Sequence, residues 1–326
     1  MRRSIACAGV VWALVEACTC ATALAQERYP AKPVRIIVAI AAGSLTDIIL
    51  RKAAQEIGSA FGQPLVIDNR PGANTVVGAE LCARAAPDGY TYCVVNRDTT
   101  SVIPHIVSKL SYDPAKDFKP VTRLYDVVQG LVTTASLPVD SVKELQGLAV
   151  AKPDSLNYGT FGAGSNPDVA RQWLNDTWKT NIIGVPYKGA NLIMNALASG
   201  EIHLTRISLG SASGLVKAGK LRVIALGSSK RSRLFPNAPT YAEAGLEGFP
   251  EGIWWGLVAP AGTPDAMVRR VNQEFVRLFR EPKFAEFLET ESLESVVSSP
   301  EEFAAFLKDD RERGAATVRK FNIPRE

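Results

Sequence analysis

The sequence is short of the residues from which most active sites are built. It holds two histidines in 326 residues, His105 and His203. A Ser-His-Asp arrangement would need one of them beside a serine on a strained turn, and no G-x-S-x-G is present. His203 falls inside a strand pattern and His105 follows Pro104 in a loop, so each is read as a satisfied structural side chain. Histidine, cysteine and carboxylate do not cluster at metal-ligand spacing, and neither a metal nor another cofactor is expected. No G-x-x-x-x-G-K-S/T occurs, and Gly162-Ala163-Gly164-Ser165 is too short for a dinucleotide fingerprint. The formal charge of +4 is too small to imply a nucleic acid or a membrane surface as partner. No run outside the leader described next approaches the roughly 20 apolar residues of a spanning helix. Low-complexity segments and repeats are not evident either. The sequence nominates no catalytic residue.

Five cysteines are present, but three of them lie within the first 20 residues. That segment reads as a secretory leader. Arg2 and Arg3 charge its start, residues 5–15 are mostly apolar, and Ala23-Leu24-Ala25 offers a cleavage site before Gln26. Cys18 and Cys20 lack the Leu-small-small context of lipid attachment. Cleavage after residue 25 would remove two basic residues and Glu16, leaving 301 residues and a charge of +3. A chain of that length divides into two domains. Cys82 and Cys93 survive, eleven residues apart, one on a helix and one on the following strand. In an oxidising compartment they could form one disulfide. The expectation is two small buried side chains that do not meet, since helix–strand geometry satisfies the distance limits only sometimes.

The ordered part begins with residues 34–40, an apolar run rich in Val and Ile, as in a strand buried on both faces of a parallel sheet. Ala41, Ala42, Gly43 and Ser44 make a small-residue turn, and a helix opens at Thr46 and Asp47. A strand at 64–67, a helix over about 75–85 and a strand at 90–95 complete a βαβ rhythm. Residues 121–134 hold two apolar patches about Asp126, long enough to leave one domain and enter the next. A second set of βα units follows, with strands at 157–160, 182–185, 201–208 and 221–226. Residues 254–259 return as a strand, and the rest reads as helical with no new strand, Ser299 and Glu302 opening the last helix as a capping box. Two crossing strands and a returning C-terminus imply two lobes about a hinged cleft, residues 26–126 and 250–326 in the first and 127–249 in the second.

A polar, small-residue turn recurs at strand-to-helix junctions, at residues 43–47, 96–101, 162–168 and 189–191. The first N–H groups of a helix lack internal partners, and its dipole is positive there. Four such turns, two in each lobe, can surround one small anion outside the carboxyl ends of the strands. That arrangement favours binding over catalysis.

The chain also resembles a known family, the Bug receptors of tripartite tricarboxylate transporters. The likeness is carried by Tyr29-Pro30-x-x-Pro33, Asn69-Arg70-Pro71-Gly72-Ala73, Ala86-Pro87-Asp88-Gly89-Tyr90-Thr91 and Tyr112-Asp113-Pro114-x-x-Asp117-Phe118. It continues through Leu156-Asn157-Tyr158, Val185-Pro186-Tyr187-Lys188-Gly189, Lys217-Ala218-Gly219-Lys220-Leu221-Arg222 and Ala259-Pro260-Ala261-Gly262-Thr263-Pro264. The resemblance implies a type II periplasmic-binding-protein fold, two α/β lobes joined by two crossing strands and closing like a flytrap. It further implies a periplasmic monomer that takes a small organic acid and hands it to the transporter's membrane subunits. The alternative use of the same fold is as a ligand sensor signalling to a membrane protein.

On these grounds the ligand is expected to meet Ala42, Gly43, Ser44, Thr46 and Asp47 in the first loop, and Asn96 and Thr99 in the second. Gly164, Ser165 and Asn166 are expected from the third loop, Tyr187 and Gly189 from the fourth. The family's first loop reads Pro-Gly-Gly-x-x-Asp, against Ala42-Gly43-Ser44-Leu45-Thr46-Asp47 here. Where the family has His, this chain has Asp168, read as a helix cap. Its Phe-Asp-Asn is replaced by Arg206-Ile207-Ser208. Arg206 can clamp a carboxylate with two charge-assisted bonds, or else turn to solvent or to Asp168. Alternation then sends Ile207 the other way, as an apolar wall suited to an aromatic or branched acid.

Overall fold

The computed structural model describes residues 29–250, 252–321, 323 and 325. The leader, with Cys18 and Cys20, lies outside the described residues. The β-branched run forms strand β1, Val34–Val38, buried except at Arg35. β1 pairs in parallel with β2, Leu65–Asn69, and β3, Thr91–Asn96. β4, Phe118–Val127, runs antiparallel to β10, Trp254–Pro260, which in turn pairs with β3. The first sheet has the order β11-β4-β10-β3-β1-β2.

β11, Leu293–Ser295, was not expected. It pairs with residues 125–127 of β4 at the sheet edge. Three residues carry no periodicity, so only the pairing defines the strand.

The long crossing segment divides at Val128 into β4 and β5, Gln129–Thr134. β5 lies between β8, Leu204–Ser208, and β9, Leu221–Gly227, antiparallel to both. β6, Asn157–Thr160, and β7, Ile183–Pro186, complete the second sheet in the order β7-β6-β8-β5-β9. Val127 N donates to Ile253 O at 2.8 Å, and Val128 N to Ser292 O at 2.9 Å. The two crossings are therefore bonded to each other and to Ser292, just before β11, forming one hinge.

Helices cover both faces of each sheet. On one face of the first sheet, α1 (Leu45–Phe61) buries Ile49, Leu50, Ala53 and Ile57, the i, i+4 stripe of an amphipathic helix. The other face carries α2 (Val76–Ala83), with the short α3 (Ile103–Ile106) beyond the end of β3. In the second lobe α4 (Val142–Ala151) and α5 (Asn166–Trp178) share one core. α6 (Ala190–Ser199) and α7 (Leu209–Lys217) share the other. The chain returns through α8 (Asp265–Arg280), α9 (Pro282–Thr290) and α10 (Pro300–Lys320), the last opening on the Ser299–Glu302 capping box. Among the described residues no helix is long and apolar enough to cross a membrane.

Cys82 and Cys93 do meet. α2 lies flat on β3, bringing their Cα atoms to 6.0 Å, and a disulfide joins them. That separation falls inside the permitted range, which spacing alone could not decide. The double variant C82A/C93V is expected to lose about 2–4 kcal/mol, the usual worth of such a cross-link. Equilibrium urea unfolding under oxidising conditions would measure it, and an unchanged midpoint would contradict the estimate.

Candidate functional site

The loop after β1 is braced from within. Gly43 has φ +78°, a left-handed conformation that glycine adopts without strain. Its N–H donates to Asp47 Oδ2 at 2.9 Å. Ser44 caps α1, its Oγ accepting from Asp47 N at 3.3 Å. The Asp47 carboxylate also accepts from Arg51 Nε and from Asn69 Nδ2, each at 3.0 Å. Thr46 accepts from the buried Tyr125 hydroxyl at 2.8 Å. Thr46 and Asp47 are thus buried, while Ala42 and Gly43 are exposed and Ser44 is half-buried. The N–H groups of Leu45 and Thr46 have no partner within the helix.

The loop after β6 repeats this device, and the repeat is written in the sequence. Ala163-Gly164-Ser165-Asn166-Pro167-Asp168 carries the same A-G-S-x-x-D as residues 42–47. Gly164 has φ +75°, and its N–H donates to Asp168 Oδ2 at 3.0 Å. Arg171 takes the Asp168 charge through Nε at 3.0 Å and Nη2 at 2.8 Å, and Gln172 adds a bond at 2.7 Å. Ser165 differs from Ser44 in that its Oγ donates to Gly162 O at 2.7 Å instead of capping the helix. In each lobe, then, a carboxylate ties a glycine N–H to the helix behind it, and an arginine within the next turn neutralises that carboxylate. What is left facing outward is backbone at the positive end of a dipole.

The second and fourth loops are built differently. Asn96 and Thr99 are buried in a closed network. Thr99 N and Oγ1 both donate to Asn96 Oδ1, at 3.0 and 2.8 Å, and Tyr112 donates to Thr99 O at 2.8 Å. This segment is a helical turn, Asp98–Val102, continuing into α3 and not an open loop. Tyr187 is half-buried and its hydroxyl donates to Glu201 at 2.8 Å. Gly189 sits at the start of α6 with no side chain capping the helix.

Arg206 and Ile207 do face opposite sides of β8. Ile207 is 4% exposed, in the core with Ile193 and Leu209. Arg206 is 1% exposed, so it neither reaches solvent nor pairs with Asp168, whose partner is Arg171. Its guanidinium lies 5.2 Å from the Phe249 ring and 5.7 Å from that of Tyr241.

One contact had no signal in the sequence. The end of the chain, which belongs with the first sheet through α10, reaches the loop of the other lobe. A Cβ on Gly164 would meet the Ile323 side chain at 3.0 Å, and Lys320 Nζ pairs with Asp176 of α5 at 2.5 Å.

Burial pushes the Asp47 carboxyl up. The Arg51 hydrogen bond, with those from Gly43 and Asn69, outweighs burial and holds it below its ordinary value of 3.8. A carboxyl lowered on folding contributes stability above its unfolded pKa, and loses that contribution as pH falls through the folded value. Asp47→Ala should remove this acid-dependent part and cost about 1.5–3 kcal/mol, the usual worth of hydrogen bonds to a charged group. Paired urea titrations at pH 7 and pH 3 would show it. A variant as acid-sensitive as the parent would count against the assignment.

The comparisons with known proteins agree with this architecture. The family model described as the tripartite tricarboxylate transporter family receptor matches residues 49–323. The protein BugT of Bordetella pertussis is 28% identical over 301 residues, covering 92% of each chain. A Rhodopseudomonas palustris protein solved with adipate, Rpa4515, is 30% identical with a TM-score of 0.74, covering 91% of this chain and 100% of its own. MatC from the same organism, solved with malate, is 29% identical with a TM-score of 0.68, covering 89% and 100%. This chain belongs to the tripartite tricarboxylate transporter receptor family, and is a periplasmic solute-binding receptor, not an enzyme.

Proposed function

We propose that the protein captures a small organic carboxylate between residues 43–47 of one lobe and 164–168 of the other, and presents it to the membrane subunits of a tripartite transporter. The observation that carries this reading is the doubled A-G-S-x-x-D loop. Each copy has its own carboxylate already neutralised, so neither repels an anion, and each leaves a helix start open to one. Adipate and malate in the two relatives support a carboxylate as cargo. The leader ending at Ala25 fits export to the periplasm, and residues 127–249 form the lobe that moves.

A thermal-shift screen of the mature chain against mono-, di- and tricarboxylates tests this. A ligand that binds only the folded state adds about 2.7 kcal/mol at a hundredfold excess over its dissociation constant. A clear upward shift with one carboxylate class is the expected result. Silence across the panel would overturn the reading.

A further inference from the structure

At the hinge lies a cavity of ≈ 450 Å³ to which both lobes contribute. Gln129, Arg206, Tyr241 and Phe249 line it from the second lobe, and Gly252 and Trp254 from the returning strand. Arg206 enters it from β8 as a cation 1% exposed, with no hydrogen-bond partner at Nε or Nη1. Gln129 Oε1 is likewise unpartnered and buried. A Cβ on Gly252 would stand 3.2 Å from Arg206 Nη2 and 3.1 Å from Gln129 Oε1. The glycine thus lets both polar groups approach the returning segment closely.

An arginine stays charged under all ordinary conditions, and a charge without a counter-ion is costly to bury. Two aromatic faces offset part of that cost, and the Tyr241 hydroxyl, which donates to Gln129 O at 3.1 Å, is a further polar neighbour. No carboxylate among the described residues pairs with Arg206. The two acids lining the cavity are engaged, Asp126 with Arg123 at 2.6 Å and Glu294 with Ser229 N at 3.1 Å. Burial pushes the Arg206 guanidinium below its ordinary pKa, the Tyr241 and Tyr158 hydroxyls oppose that shift, and the Arg97 cation of the other lobe adds to it. Among the described residues, Arg206 therefore stands beside aromatic rings without a paired anion.

We propose that the hinge cavity is an anion site, separate from the doubled loops, which takes a carboxylate on a flat apolar body. The carboxylate accepts from the Arg206 guanidinium and from Gln129 Nε2, whose amide oxygen turns away from it, and the ring lies against Phe249 and Trp254. Because both lobes line the cavity, an occupant resists hinge opening. The inference does not rest on the cleft reading, and the variants below separate the two.

The test is calorimetric titration of the mature protein with benzoate, with the Arg206→Met, Gln129→Leu and Gly164→Val variants alongside. Saturable binding to the parent is expected, weakened at least tenfold by Arg206→Met and kept by Gly164→Val. Arg206→Met should also melt no lower than the parent in the absence of anion, since it removes an unpaired buried charge at similar volume. Gln129→Leu, which breaks no internal bond of that side chain, is expected to weaken benzoate as well, and it decides the matter if Arg206→Met fails to fold. Absence of binding to the parent would overturn the proposal. So would affinity unchanged by Arg206→Met or, where that variant does not fold, by Gln129→Leu. Binding lost through Gly164→Val, in a variant that melts like the parent, would instead place benzoate in the cleft and overturn it too.

Discussion

Replacing Asp310 by Ala is expected to cost about 3–5 kcal/mol, the loss that follows when one member of a buried ion pair is removed. Asp310 is fully buried on α10. Trp254 Nε1 donates to its Oδ2 at 3.2 Å, and Arg97 Nε and Arg313 Nη2 approach Oδ1 at 3.6 and 3.7 Å. Trp254 is the first residue of the returning strand, and Arg97 follows the last residue of β3. One carboxylate therefore ties the C-terminal helix to both strands beneath the cleft. Without it the indole N–H loses its acceptor and Arg97 loses this counter-ion. Asp310→Asn keeps an acceptor for the indole and should cost less. Urea unfolding at pH 7 measures both, and a loss below about 1 kcal/mol for the Ala variant would contradict the role given to this group.

Four residues further along the same helix, Gly314→Ala is expected to destabilise by about 3 kcal/mol or more, at the upper end of overpacking. An added Cβ would lie 1.8 Å from Ser101 O and 2.7 Å from Ser101 C. Both are backbone atoms, so no rotamer change relieves the contact, and α10 must lift from the turn that holds Thr99. Gly147 in α4 supplies the control. A Cβ there meets nothing within 4 Å, so Gly147→Ala should stabilise by about 0.5–1 kcal/mol through helix propensity. Thermal melting of the two variants should move in opposite directions. A Gly314→Ala protein as stable as the parent would mean that helix and turn are not in contact.

Much of this architecture is legible in the chain itself. Val34, Ile36, Ile37 and Val38 announce a buried strand, and Ser44 with Asp47 announces the helix that follows. The βα alternation, the two crossings and the capping box at Ser299 are local signals, and each matches an observed element. What escaped is non-local or too short. β11 exists because its three residues lie along β4. The disulfide depends on how α2 is laid on β3. Burial of Arg206 could not be inferred from alternation, which told its side of the sheet but not that Phe249 and Tyr241 would roof it. The contact of Ile323 with Gly164 joins residues far apart in the chain. The doubled A-G-S-x-x-D was readable all along. As six residues with two free positions it gains meaning only when both copies are seen to brace a glycine N–H with a carboxylate.

On the proposed reading, the same construction lets loops that receive an anion carry aspartates. Asp47 and Asp168 face inward, each neutralised by an arginine of its own helix, and their work is to hold backbone in place. If these loops take a carboxylate, the charge that recognises it comes from helix termini, which act on any small acid, and the selection among acids falls to the surrounding side chains.

A carboxylate held between the lobes would close the hinge on itself. The most direct measurement is the distance between spin labels on Val77→Cys and Leu192→Cys, exposed positions on α2 and α6, with the native disulfide intact. It should be made with and without the carboxylate that gives the largest thermal shift. A single shorter distance on saturation is expected, as in hinge closure around a ligand. An unchanged distance distribution, in a protein that binds the same ligand and melts higher for it, would contradict the interlobe account.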